Sequence, residues 1–80
     1  MWNYRYIDNR LVRYTGHARK RMEERNITEE DILDVLNNAD EMKPGDQSNE
    51  TIAVKSFGRK RVRVVYVSEP DEIRIITVTN

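Results

Sequence analysis

The sequence predicts an α+β domain in which two helices pack on one face of a small antiparallel sheet, in the order β-α-α-β-β-β. Three observations carry that reading. Residues 15–26 combine a capping threonine with a run of good helix formers. Ile32, Val35, Leu36 and Ala39 recur at i, i+3, i+4 and i+7. Beyond residue 50 three runs rich in β-branched residues follow one another through short connections, which implies an antiparallel meander.

The chain opens with Trp2, Tyr4 and Tyr6 alternating against Asn3, Arg5 and Ile7, a period-2 pattern that fits an edge strand or a loosely packed arm. Residues 10–14, RLVRY, form a second extended segment leading into the first helix. Thr15 is its N-cap, HARKRMEER its body, and Asn26 suits a left-handed stop. Thr28-Glu29-Glu30-Asp31 then reads as a near capping box whose acids complement the next helix dipole. That second helix buries Ile32, Val35, Leu36 and Ala39, with Leu33 widening the stripe, and shows Asp34, Asn37 and Asn38 to water. Asp40 to Asn49, with Pro44-Gly45 as a turn signal and no periodicity, is expected as the longest loop and the place where mobility concentrates. Strands are expected over Glu50 to Phe57, Lys60 to Val67 and Ile73 to Thr79. In the last, Ile73, Ile75, Thr77 and Thr79 alternate with Arg74, Ile76 and Val78, so both faces are half apolar and periodicity leaves open which one packs on the helices. The sheet face away from the helices is expected to be open and bordered by arginines.

Eighty residues make one domain, 1–80, which at this size hides only about 60 to 65% of the surface of its unfolded chain. With no cysteine and one histidine there is no disulfide, no thiolate nucleophile and no zinc finger, and neither a metal nor a cofactor is expected. No signal pattern and no apolar run of membrane-spanning length occurs, so the reading is a cytoplasmic protein without a membrane role. The formal net charge is zero, but the charges are segregated: residues 1–25 carry +4, residues 26–50 −7 and residues 51–80 +3. Such a chain either folds into a basic surface opposite an acidic one or simply solvates a small surface.

The run Tyr14-Thr15-Gly16-His17-Ala18-Arg19-Lys20-Arg21-Met22-Glu23-Glu24-Arg25-Asn26-Ile27-Thr28-Glu29-Glu30-Asp31-Ile32 resembles a family of small prokaryotic proteins that share a His-Ala-x-x-Arg-Met-x-x-Arg-x-Ile helix. Members finish with strands like Arg63-Val64-Val65-Tyr66-Val67 and Ile75-Ile76-Thr77-Val78. That family looks related to the RelE/ParE-like toxins of toxin-antitoxin systems, particularly the BrnT-like branch. The resemblance implies a metal-independent endoribonuclease acting on RNA, either free or at the ribosome, and a small antitoxin as partner.

Metal-free RNA cleavage needs a base for the 2′-hydroxyl, cations for the charge growing on phosphate and an acid for the leaving oxygen. His17 is the natural proton carrier, and as the sole histidine it excludes a two-histidine mechanism. Its partner would be Tyr66, Glu24 or a lysine. Arg21 and Arg25, one and two turns along the same face, and Arg63 or Arg61 on the central strand are the candidate phosphate ligands. Arg59, Lys60 and Arg61 at a hairpin tip are candidates for backbone contact, and Thr77, matched to the family's strand threonine, for orienting a phosphate or His17. Each has a plainer role too. His17 can bond a carbonyl or carboxylate at the helix start, Arg21 and Arg25 can pair with Glu24 and the acids of the second helix, and the cationic tip can protect a sheet edge. A non-catalytic module that binds protein or nucleic acid on the arginine-edged sheet face is the competing reading.

Overall fold

The computed structural model describes the backbone of residues 5–7 and 9–80 and the side chains of Ile7 and residues 9–80. The aromatic pattern at Trp2, Tyr4 and Tyr6 therefore lies outside the described side chains. The elements in order are β1 (Arg5–Ile7), β2 (Arg10–Tyr14), α1 (Gly16–Arg25), α2 (Glu29–Asn38), β3 (Glu41–Pro44), β4 (Glu50–Phe57), β5 (Lys60–Ser68) and β6 (Glu72–Thr79). The two helices lie on one face of a sheet ordered β1-β2-β6-β5-β4-β3, an α+β architecture.

Both helices begin, and α1 ends, where side-chain chemistry dictates. Thr15 Oγ accepts from Ala18 N at 3.0 Å, and Asn26 stops α1 with φ 57°. Thr28 and Asp31 form a reciprocal capping box, at 3.1 and 3.0 Å, on a helix whose first turn carries three acids. Ala18 and Met22 of α1, and Ile32 and Val35 of α2, are buried against Val12, Ala53, Val62, Val64, Ile73, Ile75 and Val78 of the sheet.

Two expectations are corrected. The sheet is mixed, because β2 runs parallel to β6, with Leu11 to Tyr14 beside Glu72 to Ile75. A parallel neighbour needs a long crossover, and here the two helices and the meander together provide it. The segment expected as one loop from Asp40 to Asn49 contains β3, paired antiparallel with Thr51 to Val54. All four residues of β3 are exposed, so Glu41-Met42-Lys43-Pro44 has no apolar side for periodicity to register.

The ambiguity of the last strand is resolved by a bulge. Tyr66 pairs with Ile75 and Val65 with Thr77, so Ile76 is the extra residue and the inward set becomes Ile73, Ile75 and Val78. No helix covers the other sheet face among the described residues, yet three of its apolar residues, Ile52, Val54 and Val67, are only 4–6% exposed. The ion pair between Arg61 on β5 and Glu41 on β3, at 3.9 Å, spans the intervening β4 on that face.

Candidate functional site

The first helix is tied at its start to β6 and at its finish to Asn80, the residue after β6. At its start Thr15 N donates to Ile75 O at 3.1 Å and Thr15 Oγ donates to Ile76 O at 2.9 Å. At its finish Arg25 Nη1 donates to Asn80 Oδ1 at 2.9 Å. Ten helical residues rise about 15 Å and four strand steps about 13 Å, so α1 and residues 76–80 run side by side over matching lengths. Arg19 Nη1 reaches Glu29 Oε2 of α2 at 3.3 Å, which identifies the flank of α1 that faces α2. His17, Arg21 and Arg25, four residues apart, occupy the opposite flank.

On that flank His17 is exposed and its side chain has no partner among the described residues. Arg21 is half-exposed and, among the described residues, meets Glu24 at 3.7 Å, a spacing worth a few tenths of a kcal/mol (~0.3) on a wet helix surface. Arg25 is half-buried, with its Nε enclosed and without a hydrogen-bond partner. Lys20, on the outer face, is exposed. The row therefore carries the two guanidinium charges and, among the described residues, Glu24 as its paired carboxylate.

The strand-borne candidates lie elsewhere. Arg63 is exposed on the sheet face away from the helices, opposite Thr79 and Val54. Arg61 shares that face, with Glu41 as its partner, and Thr77 sits there opposite Val65, just past the bulge. The sheet stands between Arg63 and the α1 row. Arg59 is exposed in the β4–β5 turn beside Gly58, whose φ of +65° the turn requires. Lys60 is taken up structurally: its Nζ donates to Asp31 Oδ2 and to Asn26 O, both at 3.0 Å. Tyr66 is buried on the helix side, where burial pushes the phenol above its ordinary value against the opposing pull of Arg10 and Thr51. A phenol raised in this way stays protonated at neutral pH and is a poorer donor to a leaving group.

The structure thus brings His17, Arg21 and Arg25 together and leaves Arg63, Arg61, Thr77, Arg59 and Tyr66 at other places. A groove of about 300 Å³ opens near the end of β2, lined by Arg13, Tyr14, Thr15, Glu72 and Arg74. Its cations are already met by acids: Arg74 by Glu72 at 2.9 Å and Glu69 at 3.5 Å, Arg13 by Glu72 at 3.8 Å. Among the described residues no cluster of three His, Asp or Glu side chains is arranged to hold a metal ion. No helix is long and apolar enough to cross a membrane.

Residues 14–80, from the strand end before α1 to the last residue, match the domain of unknown function DUF4258. The chain belongs to the DUF4258 family. In this DUF4258 chain the matched region contains both helices, β3 to β6 and the whole α1 row. Neither a curated protein nor a solved structure matches the chain. Thr15 and Asn80, which align the row with β6, escaped the sequence reading. Thr15 was legible there only as a cap, and Asn80 gives no local signal, because its partner is 55 residues away.

Proposed function

We propose that this domain is a protein-interaction module that takes an acidic partner on the flank of α1 carrying His17, Arg21 and Arg25. The observation that supports this best is the tie of α1 at its start to β6 and at its finish to Asn80, which holds three basic side chains in one row with, among the described residues, Glu24 as the paired carboxylate. An acidic polypeptide suits the row better than a nucleic acid does. Affinity for RNA grows with the number of phosphates neutralised, and this chain has zero net charge and a −7 segment that includes the neighbouring α2. Of the other cations, Lys20 is exposed on the outer face of α1, Arg59 on the tip and Arg63 on the second sheet face, while Lys60, Arg61 and Arg74 are paired with acids.

A second reading has its own support. His17 is solvent-exposed one helical turn from Arg21, a proton carrier beside a phosphate-binding fork, and the sequence resembles RelE/ParE-like and BrnT-like toxins. On that reading the chain is a metal-independent endoribonuclease, acting on RNA free or at the ribosome, in the cytoplasm, with a small antitoxin as the acidic partner. Arg63, Tyr66, Arg59, Arg61 and Thr77 would then need to serve from other surfaces, and this is why binding is preferred.

The two readings separate in one set of assays. Fluorescence anisotropy with fluorescein-labelled oligoglutamate is expected to show binding that weakens about three- to tenfold in Arg21→Ala/Arg25→Ala and falls steeply with salt. End-labelled RNA incubated in EDTA, with and without ribosomes, is expected to remain intact. New RNA ends produced by wild-type protein and lost in His17→Ala would instead establish the ribonuclease. Oligoglutamate binding that is absent, or unchanged in the double variant, would remove the acidic-partner reading.

A further inference from the structure

Arg13 on β2 and Arg74 on β6 are register partners across the parallel pairing of those strands. Val12, Ile73 and Ile75 face the helices, so the two arginines, alternating with them, project from the opposite sheet face on backbones about 4.8 Å apart. Like charges set directly opposite one another on neighbouring strands are destabilising. Glu72, whose side chain is only 16% exposed, serves both of them. Its Oε2 accepts from Arg74 Nε and Nη2 at 3.2 and 2.9 Å, and its Oε1 stands 3.8 Å from Arg13 Nη1.

The acids that meet these cations leave donors over. Glu72 grips the Nε–Nη2 edge of Arg74, with Glu69 Oε1 3.5 Å from the same Nη2. That grip fixes the plane of the guanidinium and turns Nη1, which has no partner among the described residues, away from Glu72. Arg13 is 64% exposed, and 3.8 Å is beyond hydrogen-bond range, so among the described residues none of its five side-chain N–H donors is taken. Both arginines and Glu72 line the groove of about 300 Å³ together with Tyr14 and Thr15, which gives its lining two positive charges and one negative. The helix α1 starts just beyond, at Gly16, with no acid in its first turn to repel an anion.

We infer that this groove binds a small phosphate monoester, its terminal oxygens taken by Arg74 Nη1 and by the guanidinium of Arg13. Planar guanidinium groups match phosphate oxygens, and charge-assisted bonds of this kind are about twice as strong as neutral ones. Three terminal oxygens let one phosphoryl group bond both arginines at once, and its charge of about −1.5 to −2 at neutral pH lies against the outward sides that Glu72 does not reach. The volume stands at the lower end of the roughly 300–1,000 Å³ typical of small-ligand sites, which suits a small molecule rather than a length of polymer. The site is independent of the acidic-partner reading, since it uses strand residues and none of the α1 row.

The test is a titration of isotope-labelled full-length protein, followed by backbone amide and arginine Nε–Hε chemical shifts. The probes are ribose 5-phosphate, ribose, and sodium chloride at matched ionic strength. Ribose 5-phosphate is expected to give saturable shifts at Arg13, Thr15 and Arg74 within about 10 mM, ribose none, and salt only an unsaturated drift. Arg13→Gln and Arg74→Gln are each expected to weaken binding about tenfold, while Arg59→Ala, on a distant turn, leaves it unchanged. Arg13→Gln is the decisive variant, because its exposed side chain gives up no hydrogen bond and the rest of the spectrum reports that the fold is kept. Arg21→Ala/Arg25→Ala is expected to bind ribose 5-phosphate as wild type does, whatever it does to oligoglutamate, so the two readings fail separately. No saturable shift at these residues, or undiminished binding by Arg13→Gln, would overturn the site. Tighter binding of a phosphoserine peptide at the same residues would assign the arginines to a phosphorylated polypeptide and overturn the small ligand.

Discussion

The Lys60 ammonium lies 3.0 Å from Asp31 Oδ2 and bridges the start of β5 to the turn between the two helices. The same nitrogen donates to the carbonyl of Asn26, the residue that ends α1, so one side chain fastens a hairpin, a helix end and a helix start. Both partners are only partly exposed, with side-chain accessibilities of 36% and 24%, which places the contact above a typical surface pair. Lys60→Ala and Asp31→Asn are each expected to cost about 0.5–1.5 kcal/mol in urea unfolding. The double variant should cost less than the sum, since either change alone removes the shared contact.

Acid should weaken the fold through this carboxylate. The backbone hydrogen bond from Thr28 foremost, with help from Lys60, holds the Asp31 carboxyl below its ordinary value. A depressed carboxylate contributes stability that is present above the unfolded-state value, about 3.9, and lost as pH falls through the lower folded-state value. Urea midpoints recorded between pH 6 and pH 2 should therefore drop less steeply in Asp31→Asn than in wild type. Parallel curves would exclude Asp31 as a source of the acid sensitivity.

Tyr66 is predicted to act at the other end of the pH scale. Burial raises its phenol, so its contribution is intact below about pH 10 and is lost as pH rises toward the folded-state value. Tyr66→Phe should flatten the fall in stability above pH 10, read by circular dichroism at fixed urea. An identical alkaline limb in wild type and variant would refute this.

Asn26 holds φ 57°, a conformation that asparagine tolerates and β-branched residues resist. Asn26→Gly should leave stability within about 0.5 kcal/mol of wild type, and Asn26→Val should lose about 1–2 kcal/mol. Thermal unfolding of the pair distinguishes a backbone requirement from a side-chain one, because the glycine variant removes the amide and keeps the conformation.

The bulge at Ile76 makes a further, sharper claim. With Ile75 fully buried, Ile75→Ala is expected to cost about 2–5 kcal/mol, whereas Thr77→Ala, on the partly exposed second face, should cost below about 1 kcal/mol. An unbroken alternation from Ile73 would instead have put Thr77 inward and Val78 out. Chemical denaturation of the two variants decides between these registers.

Local patterns made most of the architecture legible in advance. The caps at Thr15 and Thr28, the left-handed stop at Asn26, the stripe from Ile32 to Ala39 and the strand runs after Glu50 all depend on neighbours within a few residues, and each is present. The α1 row was legible for the same reason, since His17, Arg21 and Arg25 share a flank by helical spacing alone. Partnerships over long separations were not. That β2 lies parallel to β6, that Glu41–Pro44 is a strand, and that Ile76 is the extra residue are set by which backbones meet across the sheet. Side-chain roles divided the same way: Lys60 turned inward to Asp31 and Asn26, and Arg63 came to lie across the sheet from His17. Sequence spacing dictates what shares a helix flank or a strand face. Where two such faces meet is decided by packing between residues up to 61 positions apart.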